Sequence, residues 1–132
     1  MLKPILTTLL LLTAATVTVH AEDLKALETK VDAALAAYNA GDAKKFFTDF
    51  SKSMESIATP QAFDALYTQG SKKLYGNYVS RELIKGESVT EGDQLLLMYK
   101  AKCTQNDQVK LAINVQKEGN EYRLVQLQFV GL

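Results

Sequence analysis

The stretch Gln108 to Lys117, QVKLAINVQK, decides the fold. Val109, Leu111, Ile113 and Val115 alternate with Lys110, Asn114 and Gln116, the two-residue period of a strand with one buried and one wet face. The reading extends in both directions. Downstream, Glu118-Gly119-Asn120-Glu121 is a hairpin turn, and Tyr122 to Val130 returns with Val125, Leu127 and Phe129 on one face. Upstream, Gln105-Asn106-Asp107 is a turn. Before it, Gln94 to Thr104 (QLLLMYKAKCT) places Leu95, Leu97, Tyr99, Ala101 and Cys103 together. The polar connection Gly86 to Asp93 joins this strand to a first one over Tyr78 to Lys85. The count is four consecutive antiparallel strands, buried on one side only.

Ahead of Gly76 the apolar period changes to that of a helix. Leu24, Leu27, Val31, Leu35 and Tyr38 recur at spacings of three and four, so a first helix is expected from about Asp23 to Asn39, stopped by Gly41. Asp42 reads as the N-cap of a second helix with the stripe Phe46, Phe47, Phe50 and Met54. Thr59-Pro60 opens a third, because a proline at the first helical position has no N–H to waste. That helix turns Phe63, Leu66, Tyr67 and Leu74 inward and ends at Tyr75-Gly76, with Gly70 weakening it. Helices first and strands after give α+β: three N-terminal helices packed on a curved four-stranded antiparallel sheet.

The first 21 residues stand apart. Met1-Leu2-Lys3 is a short positive start, Pro4 to Val19 is apolar and uncharged, and Val19-His20-Ala21 carries small residues at the cleavage positions. This is the pattern of a secretory signal peptide, and the run is too short and too rich in threonine for a membrane span. The expected organisation is a signal peptide over 1–21 and one domain over 22–132, exported to the periplasm or the exterior. No cysteine near the cleavage site suggests a lipid anchor.

Loss of the leader removes Lys3 and His20, leaving 14 basic against 15 acidic residues and a net charge of −1. Such a chain has no broad electrostatic footprint for nucleic acid or for an anionic membrane. It also has no histidine, which excludes Ser-His-Asp and Cys-His catalysis and any histidine-ligated metal. A lone Cys103 makes neither an internal disulfide nor a thiolate metal site. It shares a face with Leu95, Leu97 and Tyr99 and reads as a small buried residue. No D-x-D-x-D-G loop suggests a Ca²⁺ site. Neither metal nor cofactor is expected.

The chain resembles the NTF2-like superfamily. The features that carry this are Ala37-Tyr38-Asn39-Ala40-Gly41-Asp42, the aromatic second helix, Thr59-Pro60 opening the third, Gly76-Asn77-Tyr78-Val79-Ser80 entering the sheet, and the closing run Tyr122 to Phe129. More narrowly, it is similar to small secreted members grouped as domains of unknown function of the DUF3887 type. The resemblance implies a cone with a cavity between sheet and helices, and homodimerisation through the outer sheet face. Enzymes of that superfamily use Asp, Tyr or His in the cavity, but no motif here matches their catalytic positions residue by residue.

Three tyrosines on inward faces, Tyr38, Tyr67 and Tyr99, are the candidate ligand-binding residues. A phenol in a half-dry cavity donates a hydrogen bond while its ring stacks on a ligand. Asp32, Asp49 and Asp64 flank the apolar stripes and are the carboxylates that could serve acid–base work. Lys72-Lys73 and Lys100-Lys102 read as solvated charge. The expectation is a non-catalytic module binding a small apolar ligand or a protein partner, with no carboxylate within reach of the Tyr99 hydroxyl. The alternatives are a cofactor-free lyase or isomerase using a cavity carboxylate and a tyrosine, and a structural dimerisation module.

Overall fold

The computed structural model describes residues 21–131. The expected leader therefore lies, but for Ala21, outside the described residues. The fold is α+β, with helices packed on a curved antiparallel sheet. No described helix is long and apolar enough to cross a membrane.

Helix α1 (Ala21–Ala40) buries Leu27, Val31, Ala34, Leu35 and Tyr38, the seam that its three-and-four spacing dictates. It ends on Gly41 at φ 72°. The Gly41 N–H donates to the Tyr38 carbonyl at 3.2 Å and the Asp42 N–H to that of Ala37 at 3.0 Å. That pair of bonds satisfies two carbonyls the helix leaves open. Asp42 then caps α2 (Ala43–Phe46) by accepting from the Lys45 N–H at 3.1 Å.

Here the sequence reading needs correction. The second helix does not run on to Met54; it stops after Phe46, and only a 3₁₀ turn (Lys52–Met54) follows. The cause is a competing partner. Phe50 forms a parallel bridge with Leu124, where the Ser51 N–H donates to the Leu124 carbonyl at 2.7 Å and the Leu124 N–H to that of Asp49 at 2.9 Å. A strand edge takes the backbone that a helix would have used. Phe46 and Phe50 are nevertheless buried.

Thr59 caps α3 (Pro60–Phe63) by accepting from the Ala62 N–H. The chain then winds as a π-helix (Asp64–Ser71) and resumes as α4 (Lys72–Tyr75), with Gly70 at φ −104° and ψ −105° breaking the run. Wider turns rotate the side chains relative to a 3.6-residue wheel. Phe63 and Tyr67 stay inside, whereas Leu66 and Leu74, expected inward, are 59% and 67% exposed.

The sheet has the order β1 (Tyr78–Leu83), β3 (Gln94–Cys103), β4 (Asn106–Glu118), β5 (Glu121–Gly131), with β2 (Val89–Glu91) pairing on β3. Five strands therefore replace the expected four. The added strand, three residues inside the polar connection, is too short to show alternation. It pairs with Leu96, Leu95 and Gln94 across a turn at Gly92. The central registers hold the four inward residues of β4 opposite the inward residues of β3 and β5.

A second correction concerns β5. Asn114 faces Gln126, but Val115 faces Leu124, so Val125 is the extra residue of a bulge. Leu124 is fully buried in its place. At the far edge, Asn39 occupies β1: its side-chain amide donates to the Tyr78 carbonyl at 2.9 Å and its amide oxygen accepts from the Tyr78 N–H at 2.8 Å.

Candidate functional site

Tyr38 and Tyr67 meet in the interior. Their rings stand 5.8 Å apart, edge to face, with Phe129 at 5.2 Å from Tyr38 and Phe46 at 4.8 Å from Tyr67. Phe46 also touches Phe47, Phe50 and Phe63. These rings occupy the space between the helices and β5. Both phenols have partners within the protein: the Tyr67 hydroxyl donates to the Leu127 carbonyl at 2.7 Å, and the Tyr38 hydroxyl lies 3.0 Å from that of Ser71. Burial raises the pKa of both and keeps them neutral.

Tyr99 is buried but belongs to a different neighbourhood. Its hydroxyl donates to Glu28 at 2.5 Å, and the Arg81 guanidinium lies over its ring at 5.3 Å. The expected absence of a carboxylate beside Tyr99 is thus overturned. Glu28, between Leu27 and Thr29 on α1, gave no sign in the sequence of pointing at the sheet.

The centre of this second cluster is Arg81, its side chain only 9% exposed. It binds Asp32 at 2.7 Å, Glu28 at 3.2 Å and the Tyr78 hydroxyl at 2.9 Å. Glu28 and Asp32 stand four apart on α1, and so share a face. Tyr78 and Arg81 stand three apart on a strand, which in a regular ladder puts them on opposite faces. An irregularity between Tyr78 and Ser80 shifts the register and brings both to the inner face. The alternation rule therefore could not find the pair.

The electrostatics follow from this packing. Burial works against the charge of Arg81, but Asp32, Tyr78 and Glu28 outweigh it and raise its pKa. Burial and the hydrogen bond to Glu28 raise the pKa of Tyr99. Glu28 has both oxygens engaged, one by Tyr99 and one by Arg81. Asp32, singled out in the sequence, is joined to the cluster; Asp64 is exposed, and Asp49 takes part through its backbone. Cys103 is buried on the inner face, as its strand position implies, and burial raises its thiol pKa.

The outer face of the sheet is differently built. Val89 and Leu96 pair across β2 and β3, and Met98 and Ala112 across β3 and β4, making an apolar strip that is partly open to solvent. Beside it a trough of about 680 Å³ crosses β1, β3 and β4. It is lined by Ser80, Glu82, Lys100, Lys102, Asp107 and Gln108, and by Arg81, Ala101 and Val109, whose side chains are buried on the inner face.

No protein-family model and no curated protein matches the chain. A solved structure, that of Bdellovibrio bacteriovorus Bd1075, is similar at 17% identity and a TM-score of 0.48. The match covers 82% of this chain, which spans 40% of that protein.

The chemistry open to the inner residues is narrow. Among the described residues no group of three His, Cys, Asp or Glu is placed to hold a metal ion. The buried phenols and the Glu28 carboxylate are each engaged by a neighbour. The outer trough is the more accessible surface.

Proposed function

We propose that the chain is an exported NTF2-like domain, its helices closing one face of a cone, that binds a protein partner through the outer face of its sheet and performs no chemistry of its own. The single observation that carries this is the engagement of the interior. The hydroxyls of Tyr38, Tyr67 and Tyr99, the groups a small ligand would need, are bonded to Ser71, Leu127 and Glu28. Neighbouring rings fill the space around the first two. The outer face instead offers the strip Val89, Leu96, Met98 and Ala112 bordered by Asn114, Gln126 and Gln128, an apolar centre with a polar rim. A second copy of the chain is one such partner.

Native mass spectrometry of the exported protein from its own host tests this. The expected species starts at Glu22 and carries protein partners or a second copy, without a small molecule. A bound apolar ligand of low mass would overturn it. Val89→Glu, at a position 41% exposed, should abolish the assembly while leaving the circular dichroism spectrum unchanged.

One observation favours a second reading, a cofactor-free lyase or isomerase: a carboxylate, Glu28, stands against a tyrosine hydroxyl. That reading requires Glu28 to leave Arg81 so that it could take a proton. Exchange of a substrate C–H for deuterium that is lost in Glu28→Gln would establish it.

A further inference from the structure

We infer that the free edge of β5 takes up an extended peptide segment of a partner protein. The segment pairs by its main chain with Phe129 and seats one apolar side chain against Leu66 and Leu74. This site is on the edge of the sheet and does not rest on the reading of the outer face.

Backbone hydrogen bonding is the argument. In an antiparallel ladder alternate residues turn both their N–H and their carbonyl away from the neighbouring strand, and β5 lies at the end of the order beside β4. Leu124 is such a residue: its N–H donates to Asp49 and its carbonyl accepts from Ser51. Past the bulge at Val125, Leu127 is the next, for its carbonyl accepts from the Tyr67 hydroxyl at 2.7 Å. The register then runs unbroken to Gly131, so Phe129 also turns its N–H and carbonyl to the free edge. Among the described residues neither group has a hydrogen-bond partner. An amide and a carbonyl side by side on an edge are what a further strand binds, whatever its side chains.

The edge is open at this point. A groove of about 240 Å³ lies between β5 and the helical segment, with Leu127, Gln128 and Phe129 on one side and Leu66, Gly70 and Leu74 on the other. Gly70 leaves the gap between the leucines empty: a β-carbon there would meet nothing nearer than the Ala65 carbonyl at 3.7 Å. Both leucines are exposed, although they stand beside a buried core. Tyr67 bounds the groove at the Leu127 carbonyl, and the Tyr75 hydroxyl lies against Gly131 at the other end. The open length therefore suits one residue paired with Phe129, not a long strand. Residues opposite each other across a ladder share a face. Phe129 turns its ring inward, so the incoming residue points its side chain to the helical side, where the leucines stand.

The experiment titrates the exported protein, labelled with nitrogen-15, with the capped peptide Ser-Thr-Val-Thr-Ser and with a twin N-methylated at its valine. The amide resonances of Leu127 and Phe129 should move with the first peptide and saturate. The twin lacks one main-chain donor and should bind about two- to tenfold more weakly, the value of one hydrogen bond. Leu66→Ser with Leu74→Ser should weaken the first peptide several-fold, because its valine loses apolar contact. Ile57→Ser, at an exposed apolar position outside the groove, should change nothing. No movement at Phe129, equal affinity for the two peptides, or equal losses in the leucine and isoleucine variants would overturn the inference. Movement confined to Val89, Leu96 and Met98 would overturn it as well, while favouring the outer-face reading. Val89→Glu, which tests that face, should leave peptide binding at Phe129 unchanged.

Discussion

Two stretches of α1 add different fastenings to its apolar seam, aromatic packing near its C-terminal end and an ion-pair cluster nearer its middle. Near its C-terminal end Tyr38 sits among Tyr67 and Phe129 and is wholly buried. Nearer its middle, beside the buried Leu27 and Val31, Glu28 and Asp32 grip the nearly buried Arg81. Apolar packing is non-directional and tolerates modest shifts, whereas a buried guanidinium requires acceptors at fixed places. The difference separates what holds the domain together from what fixes the position of one helix on it.

That contrast makes predictions of graded size. The largest concerns the aromatic cluster that Tyr38 joins, at Phe46 of α2. Phe46→Ala removes the ring that touches Phe47, Phe50, Phe63 and Tyr67. It should cost about 3–5 kcal/mol in urea unfolding. A loss below about 1 kcal/mol would mean that the cluster repacks freely and does not organise the aromatic side of the core.

The ion-pair cluster should give less. Glu28→Gln with Asp32→Asn leaves the Arg81 charge without its carboxylates. Breaking a fully buried pair costs roughly 3–5 kcal/mol. Glu28 and Asp32 are 36% and 67% exposed, so water replaces part of what is lost. The expectation is about 1–3 kcal/mol. Hydrogen exchange should rise around Glu28 and Asp32 more than around Tyr38. Uniform exchange along the helix would contradict the division.

The smallest effects come from single hydroxyls. Tyr67→Phe and Tyr99→Phe should each cost about 0.5–1.5 kcal/mol at neutral pH. They also change the response to alkali. The pKa of each phenol is raised above its ordinary value of 10.0 in the folded protein. The neutral form is therefore favoured by folding: the associated stability is complete below pH 10 and is lost as pH rises above it. Each Phe variant should show a shallower fall in stability above pH 10 than the parent. An unchanged slope would mean that the hydroxyl ionises equally in both states.

Legibility in the sequence followed the same division. The inward faces of β3 and β4 and the seam of α1 were readable because one period ran unbroken through each. Where another part of the chain competed for the backbone, the reading failed. Phe47 and Met54 lie at helical spacing, yet Leu124 claims the segment between them. Leu66 and Leu74 fit a 3.6-residue wheel that the π-turns abandon. Val125 fits an alternation that a bulge displaces by one. Of the site, the burial of Tyr38, Tyr67 and Tyr99 was legible, but their partners were not. Arg81 shares a face with Tyr78 only because β1 is irregular, and Glu28 is one of several glutamates without a distinguishing neighbour.

Asn39 has a consequence for what happens beyond the single molecule. A sheet edge exposes a row of unpaired amides and carbonyls on which further strands could add without limit. By meeting both backbone groups of Tyr78, one side chain acts as the last rung of the ladder, a strand one residue long. It takes the place of a neighbouring strand at Tyr78, the first residue of β1. Concentrated protein carrying Asn39→Ala should polymerise through β1, with a fibre repeat set by the spacing of strands, while the parent stays dispersed. A single amide thereby supplies at that end the pairing a further strand would offer.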